Sequence, residues 1–156
     1  MLQNAVGEVN HWRGQCLDSF ARVEFAVIDV IEAWNKKIPG TAPTLAPTAA
    51  NRTKNLAANL RKHFADDPHS RKLSSSLSLW KYRENQRNEL VHGTFTVKER
   101  RERWVLINQI VLVKDQTAIS SERMLTDREA EAMLAAIVEE RKSLIAAIDA
   151  FKAANF

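Results

Sequence analysis

Apolar residues recur at alternating spacings of three and four through the first 37 residues of the chain. They are Val9, Trp12, Cys16, Phe20, Val23, Val27, Val30 or Ile31, and Trp34. This spacing places them on one face of an α-helix, and mostly polar residues lie between them. Pro39-Gly40 then ends the helical pattern. The pattern predicts a long amphipathic helix over residues 5–37, whose apolar face must be covered by other elements.

Three more segments carry helical signals. Residues 48–66 are predicted to form the second helix, with Thr48 as its N-cap. The third is predicted from Ser70 to His92, and Gly93 is well placed as its C-terminal stop. The last begins at the capping box Thr126-Asp127-Arg128-Glu129, whose acidic residues suit the positive end of the helix dipole.

The periodicity changes between the third and fourth helices. Residues 94–98 alternate with period two, residues 103–113 form a β-branched apolar run, and a charged stretch separates them. This pattern predicts a β-hairpin. Both faces of its second strand are apolar, so we expect cover on both sides, from the helices and from a partner chain. Residues 114–125 are predicted to form a looser segment.

Together these elements predict a mainly α fold in one domain over residues 1–156. The expected architecture is an antiparallel four-helix bundle with a β-hairpin inserted between helices 3 and 4. The chain has 156 residues, 45% of them hydrophobic, which is enough for one sizeable core without disulfides or metals. Its four glycines and four prolines are few, which favours long regular elements over a loop-rich β fold.

Composition also bears on the cellular setting. The single cysteine, Cys16, has no internal partner for a disulfide, which favours a reduced compartment. No apolar run approaches the roughly 18 residues that span a bilayer, and the N-terminus lacks the layout of a signal peptide. We therefore expect a cytoplasmic protein without a membrane partner. The net charge of +4 permits binding to a polyanion without requiring it.

The segment Arg87-Asn88-Glu89-Leu90-Val91-His92-Gly93 is the most specific motif in the chain. Arg87 and His92 are five residues apart, which is roughly 140° around a straight helix, whereas Asn88 and His92 share a face. Because Gly93 follows, we expect the helix end to unwind and bring His92 toward Arg87. The C-terminal end of a helix also favours a protonated histidine.

The Arg-Asn-x-x-x-His-Gly segment, late in the third helix of a small helical bundle, resembles the Arg-x4-His signature of the HEPN superfamily. Phe20-Ala21-Arg22-Val23-Glu24 and Leu125-Thr126-Asp127-Arg128-Glu129 are similar to stretches common in its first and last helices. The resemblance implies a metal-independent endoribonuclease without a cofactor. It further implies a homodimer, because HEPN enzymes bring two motifs together in one composite site.

The residue types suit such chemistry. RNA carries its own nucleophile in the 2′-hydroxyl group, so the protein must manage protons and charge. An imidazole titrates near neutral pH, so His92 is expected to act as the base or acid, while Arg87 binds the phosphate. Asn88 is expected to orient the histidine or a phosphate oxygen. Glu24 is either a solvated charge at the edge of its helix or the carboxylate that holds the Arg87 guanidinium.

Other residues have weaker assignments. The basic residues near the motif are expected to contact the RNA backbone or to form a solvated surface: Arg83, Lys98, Arg100 and Arg101. Trp12, Trp34 and Trp80 lie at stripe positions and are predicted to be core, whereas Trp104 is expected at an interface or against a base. His11, His63 and His69 lack partners at ligand spacing, so no metal site is expected.

One position departs from a HEPN subtype. HEPN toxins that pair with a minimal nucleotidyltransferase carry a tyrosine two residues after the histidine, and here that residue is Thr94. Another toxin–antitoxin, defence or stress setting remains open, with an antitoxin or other protein as partner. Two alternatives also stay open. One is a non-catalytic HEPN module that binds a nucleotide or a protein, and the other is an unrelated helical interaction domain.

Overall fold

A computed structural model describes residues 2–100 and 103–156, with the side chains of residues 2, 100 and 112–114 outside this description. The elements in chain order are α1 (Leu2–Lys37), α2 (Ala49–His63), α3 (Pro68–His92), β1 (Thr94–Arg100), β2 (Arg103–Lys114), β3 (Thr117–Thr126) and α4 (Asp127–Asn155). The predicted mainly helical class with four helices is confirmed. Within the described residues, no helix is long and apolar enough to cross a membrane.

The helix boundaries follow local sequence signals closely. At α2, the Thr48 hydroxyl accepts a hydrogen bond from the Asn51 N–H at 3.3 Å, as expected of an N-cap. At α4, the Glu129 carboxylate accepts from both the N–H and the hydroxyl of Thr126 at 2.8 Å. The Glu129 N–H donates back to the Thr126 hydroxyl, which completes the predicted capping box. The two hydrogen bonds that Thr126 donates to the carboxylate lower the pKa of Glu129.

The sheet is larger than predicted. The strands β1 and β2 pair antiparallel, but the looser segment predicted for residues 114–125 is wrong, because β3 pairs with β2 in a three-stranded antiparallel sheet. Asp115 and Gln116 connect these strands with φ angles of 50° and 63°. Such a left-handed two-residue turn is normally signalled by glycine, which is absent here. β3 is also mostly exposed and polar, so it lacks the alternation of a half-buried strand.

The chain forms two compact units. Unit 1 comprises Met1–Asp18 and Asn85–Ile137, and unit 2 comprises Ser19–Glu84 and Val138–Phe156. The core of unit 1 is built from the start of α1, the end of α3, the sheet and the start of α4; that of unit 2 is built from helices alone. In unit 2, the Trp34 ring packs edge-on against Phe64, with centroids 4.9 Å apart. The single-domain assignment remains a prediction.

The two faces of the sheet differ in exposure. On the inner face, Trp104, Leu106 and Ile110 are buried, and the Trp104 ring lies 6.4 Å from that of Trp12 on α1. On the outer face, Val111 is 64% exposed and Met124 is 65% exposed. The sequence predicts cover on both apolar faces of β2. Within the described residues, unit 1 covers only the inner face.

Candidate active site

The motif residues occupy the last two turns of α3, in unit 1. Arg87 is half-buried and Asn88 is exposed, and the Arg87 Nη1 donates to the Asn88 Oδ1 at 3.5 Å. His92 is exposed and is the last residue of the helix. The fold thus brings Arg87 and Asn88 together and presents His92 to solvent at the negative end of the helix dipole.

The expected unwinding at His92 is wrong. The helix continues through His92, and the Gly93 N–H donates to the Glu89 carbonyl oxygen at 3.0 Å. On this regular helix Arg87 and His92 remain about 140° apart in azimuth and about 7.5 Å apart along the axis. The two side chains therefore point in different directions from one copy of the chain.

Two side chains from elsewhere in unit 1 satisfy the carbonyl groups at this helix end. The Asn108 Nδ2 on β2 donates to the Glu89 carbonyl oxygen at 3.3 Å, and the Arg13 Nε on α1 donates to the Leu90 carbonyl oxygen at 2.9 Å. The Glu89 carbonyl oxygen thus accepts from Asn108 in addition to the Gly93 N–H, whereas Leu90 lies in the last turn, where carbonyl groups lack an intrahelical donor. These hydrogen bonds therefore hold the turn that carries His92 to both α1 and the sheet.

A transverse row of the sheet lies against the same turn. Phe95 on β1, Asn108 on β2 and Arg123 on β3 are paired in register. The Arg123 Nη1 makes an ion pair with the Glu89 carboxylate at 3.3 Å, and the Arg13 guanidinium stacks over the Phe95 ring at 4.6 Å. We refer to Arg13, Asn108 and Arg123 as the clamp.

Gly93 is required here by a close approach. A Cβ atom at this position would lie 1.8 Å from the Asn108 Oδ1 and 2.7 Å from the Glu89 carbonyl oxygen. Asn108 is only 3% exposed, so its amide has little room to move away. Its Oδ1 has no hydrogen-bond partner within the described residues. Gly93 therefore ends the motif because the clamp leaves no space for a side chain.

Glu24 lies in unit 2, half-buried on α1. Its carboxylate accepts a hydrogen bond from the Arg52 Nη2 at 3.4 Å. Arg52 also donates to the carbonyl oxygens of Ala46 and Pro47 at 2.8 and 2.9 Å. Arg52 thereby connects α1 to the segment before α2. The expected pairing of Glu24 with Arg87 remains a prediction.

The candidate RNA-contact residues lie in different surroundings. Arg83 binds the Glu140 carboxylate on α4, with its Nε donating at 2.9 Å, and this hydrogen bond raises the Arg83 pKa. Lys98 is exposed on β1. The Arg100 side chain and the whole of Arg101 lie outside the described residues. Among the described side chains of this set, Lys98 is therefore the exposed one.

The tryptophans are core residues. Trp12, Trp34 and Trp80 are buried as predicted. The expectation for Trp104 is wrong, because its ring is 6% exposed and its Nε1 donates to the Glu8 carboxylate at 3.0 Å. An indole buried on the inner sheet face is not presented to a base or a partner. Within the described ranges, no three His, Cys, Asp or Glu side chains cluster closely enough to hold a metal ion.

The sequence interpretation missed the clamp. One signal for Asn108 was present, because it is a polar residue at a core-facing position of an otherwise apolar strand. A buried amide must find hydrogen-bond partners, so such a position indicates a specific polar contact. For Arg13 and Arg123 the sequence carries no comparable signal, because both resemble ordinary surface cations. Comparison of the chain with known protein families, curated proteins and solved structures found no match.

Proposed function

We propose that this protein is a cytoplasmic, metal-independent endoribonuclease of HEPN type, acting in a toxin–antitoxin, defence or stress context. The observation that carries the proposal is the placement of its motif. His92 is exposed on a helix end that three remote side chains hold in place, with the Arg87 guanidinium on the preceding turn. Such restraint is what a proton-transfer group needs, because general acid–base catalysis depends on position.

The proposed reaction uses the 2′-hydroxyl group of the RNA. A histidine removes its proton, the 2′-oxygen attacks the adjacent phosphorus, and the bond from phosphorus to the 5′-oxygen breaks. The leaving 5′-oxygen receives a proton, which gives a cyclic 2′,3′-phosphate and a 5′-hydroxyl group. In this scheme His92 transfers protons and Arg87 binds the phosphate oxygens in bidentate fashion. Asn88 orients a phosphate oxygen or the imidazole.

The divergence of Arg87 and His92 supports a composite site. One helix directs these side chains about 140° apart, so a single copy does not converge them on one phosphate. Transphosphorylation also benefits from both a base and an acid, and each copy supplies one motif histidine. We therefore include a homodimer in the proposal, with an antiparallel four-helix bundle as each subunit's architecture.

The outer sheet face favours a protein partner in addition to RNA. Val111 and Met124 are exposed on this face, and a partner that covered them would remove their apolar surface from water. An antitoxin or a second copy fits this role. If RNA is not cleaved, the alternative is a non-catalytic HEPN module that binds a nucleotide or a protein partner.

The direct test is cleavage of several labelled RNAs by the purified protein, with and without EDTA. We expect cleavage by the wild type in EDTA, and a loss of about 100-fold or more on His92→Ala or Arg87→Ala. His69→Ala, at another exposed histidine, is the matched control and should cleave normally. If the wild type leaves every RNA substrate intact, the nuclease proposal is excluded. If EDTA abolishes cleavage, the metal-independent mechanism is excluded.

Assembly has its own test. Sedimentation velocity at micromolar concentration should give a dimer for the wild type and for His92→Ala, because the histidine is exposed and removing it leaves the fold intact. A stable monomer that still cleaves RNA would exclude the composite site.

A further inference from the structure

One of the basic surfaces of this chain lies on α2. This helix carries no acidic residue and four basic ones: Arg52, Lys54, Arg61 and Lys62. Their summed charge of +4 is as large as the net charge of the whole chain. Its first turn likewise has no acidic residue to offset the positive end of the helix dipole. A helix of this composition attracts anions along its exposed side.

Part of this charge lines a groove between α2 and α3, in unit 2. The groove has a volume of about 400 Å³, within the range typical of ligand sites. Its uncharged lining residues are small, apolar or polar: Ala50, Asn51, Thr53 and Ala57 from α2, and Leu77 and Ser78 from α3. The lining therefore offers both apolar surface and hydrogen-bonding groups beside the charged residues.

Three cations line the same groove: Lys54 and Arg61 from α2, and Lys81 from α3. Within residues 2–100 and 103–156, none of the three makes a side-chain ion pair or hydrogen bond. Two other basic residues of unit 2 are paired, Arg52 with Glu24 and Arg83 with Glu140. The three cations of the groove are therefore available to bind an anion.

The spacing of these cations fits a chain of phosphates. Lys54 and Arg61 are seven residues apart, about 10 Å along the helix axis, so each can meet a different phosphate group. Glu84 is the carboxylate among the lining residues, and it leaves a net positive charge in the groove. A positively charged groove that follows the phosphate backbone is one element of single-strand binding sites.

We propose that the α2–α3 groove binds the phosphate backbone of single-stranded RNA, with Lys54, Arg61 and Lys81 as the phosphate contacts. This inference rests on the proposed function, because RNA is taken as the substrate. It adds a second contact region on unit 2, apart from the motif residues of unit 1. The groove would strengthen substrate binding without taking part in proton transfer.

The test is fluorescence anisotropy of a labelled 12-nucleotide 2′-O-methyl RNA, which has no free 2′-hydroxyl group and therefore stays intact. The groove variant is Lys54→Glu/Arg61→Glu/Lys81→Glu. The matched control is Lys62→Glu/Arg71→Glu/Lys72→Glu, which changes the charge equally at exposed positions of the same helices outside the groove. If the triple groove variant does not fold, the single variants Lys54→Gln, Arg61→Gln and Lys81→Gln replace it.

We expect the groove variant to bind the probe about tenfold or more weakly at low salt, and the control to bind much closer to wild type. The salt dependence should also flatten, by about 0.7 in the logarithmic slope for each lost contact. Equal weakening in both variants would overturn the groove, because it would show only the effect of net charge. Displacement of the probe by AMP at equal nucleotide concentration would overturn RNA as the ligand.

Binding and cleavage are separate readouts. If the wild type binds the probe through the groove and leaves natural RNA intact, the nuclease proposal fails and the groove stands. If the groove variant cleaves natural RNA with unchanged KM and binds the probe as the wild type does, the groove proposal fails and the nuclease stands. If the nuclease proposal and the groove proposal are both correct, the groove variant should cleave natural RNA with a higher KM and an unchanged kcat.

Discussion

The two ends of α3 are held in different ways. At the start, in unit 2, the Asp67 carboxylate accepts hydrogen bonds from the N–H groups of His69 and Ser70 at 3.2 and 3.0 Å. At the end, in unit 1, Arg13 and Asn108 reach the helix from 77 and 19 residues away in sequence. The start is therefore fixed by its own neighbours. The end, which carries His92, takes its position only when unit 1 has folded.

The largest effect should come from adding a methyl group at the clamped end. Gly93→Ala places a Cβ 1.8 Å from the Asn108 Oδ1, so the helix end and β2 must separate. We expect a loss of about 2–3 kcal/mol in the free energy of unfolding, as for other overpacked sites. Urea denaturation followed by circular dichroism measures it, and RNA cleavage should fall as well.

Gly14→Ala is the matched control for this substitution. Gly14 is exposed within α1, and nothing lies within 4 Å of a Cβ built there. We expect Gly14→Ala to stabilise the protein by about 0.5–1 kcal/mol, because alanine is favoured over glycine inside a helix. If Gly93→Ala were as stable as Gly14→Ala, the close packing at the clamp would be excluded.

The next effect should come from the clamp amide. Asn108→Ala removes the hydrogen bond to the Glu89 carbonyl oxygen, and we expect a loss of about 1–3 kcal/mol. The double variant Gly93→Ala/Asn108→Ala tests the contact itself. Its loss should be smaller than the sum of the single losses, because one of the two clashes is gone. Simple additivity would show that the two residues do not contact each other.

A smaller effect is expected for Arg13→Ala. The substitution removes the hydrogen bond to the Leu90 carbonyl oxygen and the stacking on Phe95. We expect a loss of about 1–2 kcal/mol by urea denaturation. His11→Ala changes a neighbouring exposed residue of α1 and should leave stability within about 0.5 kcal/mol of wild type. Equal stability of the two variants would remove Arg13 from the clamp.

The smallest effect is expected at the other end of α3. Asp67→Ala removes the N-cap, with an expected loss of about 1 kcal/mol near neutral pH, whereas Asp67→Asn keeps a capping side chain. Partial burial raises the Asp67 pKa, but hydrogen bonds from the Asn155 side chain and the His69 and Ser70 N–H groups outweigh it, so the pKa is lowered.

The lowered pKa of Asp67 determines how its contribution to stability depends on pH. A carboxyl group with a lowered folded-state pKa stabilises the fold above its unfolded pKa, near pH 4, and that contribution is lost as the pH falls through the folded-state value. The stability gap between wild type and Asp67→Ala should therefore narrow below about pH 4 in urea titrations. A gap of constant size from pH 7 to pH 2 would contradict a charged cap.

The contrast between the ends of α3 explains what could be predicted from the sequence. Periodicity and local caps predict the four helices. The Thr48 and Thr126 caps could be predicted because each hydrogen bond joins residues three positions apart in sequence. The predicted start of α3 at Ser70 is two residues late, because the residues around Pro68 predict a break in the helical pattern. Proline is tolerated in the first turn of a helix, so α3 begins at Pro68.

The clamp could not be predicted in the same way. The motif itself was visible, because Arg87 and His92 are neighbours in sequence. The residues that hold this helix end are not visible in the sequence, because the contacts of Arg13 and Arg123 with it depend on how α1 and the sheet pack. β3 was missed for a related reason, because its pairing with β2 uses exposed polar residues and a turn without glycine.

The most direct test of the central claim is the chemistry of the RNA ends. The protein is incubated in EDTA with an RNA it cleaves at one site, and with the same RNA carrying a single 2′-deoxy sugar immediately 5′ of that site. We expect a cyclic 2′,3′-phosphate and a 5′-hydroxyl group from the first RNA, no cleavage of the second at that site, and neither reaction with His92→Ala. Cleavage at the deoxy position, or products with a 5′-phosphate and a 3′-hydroxyl group, would contradict the account.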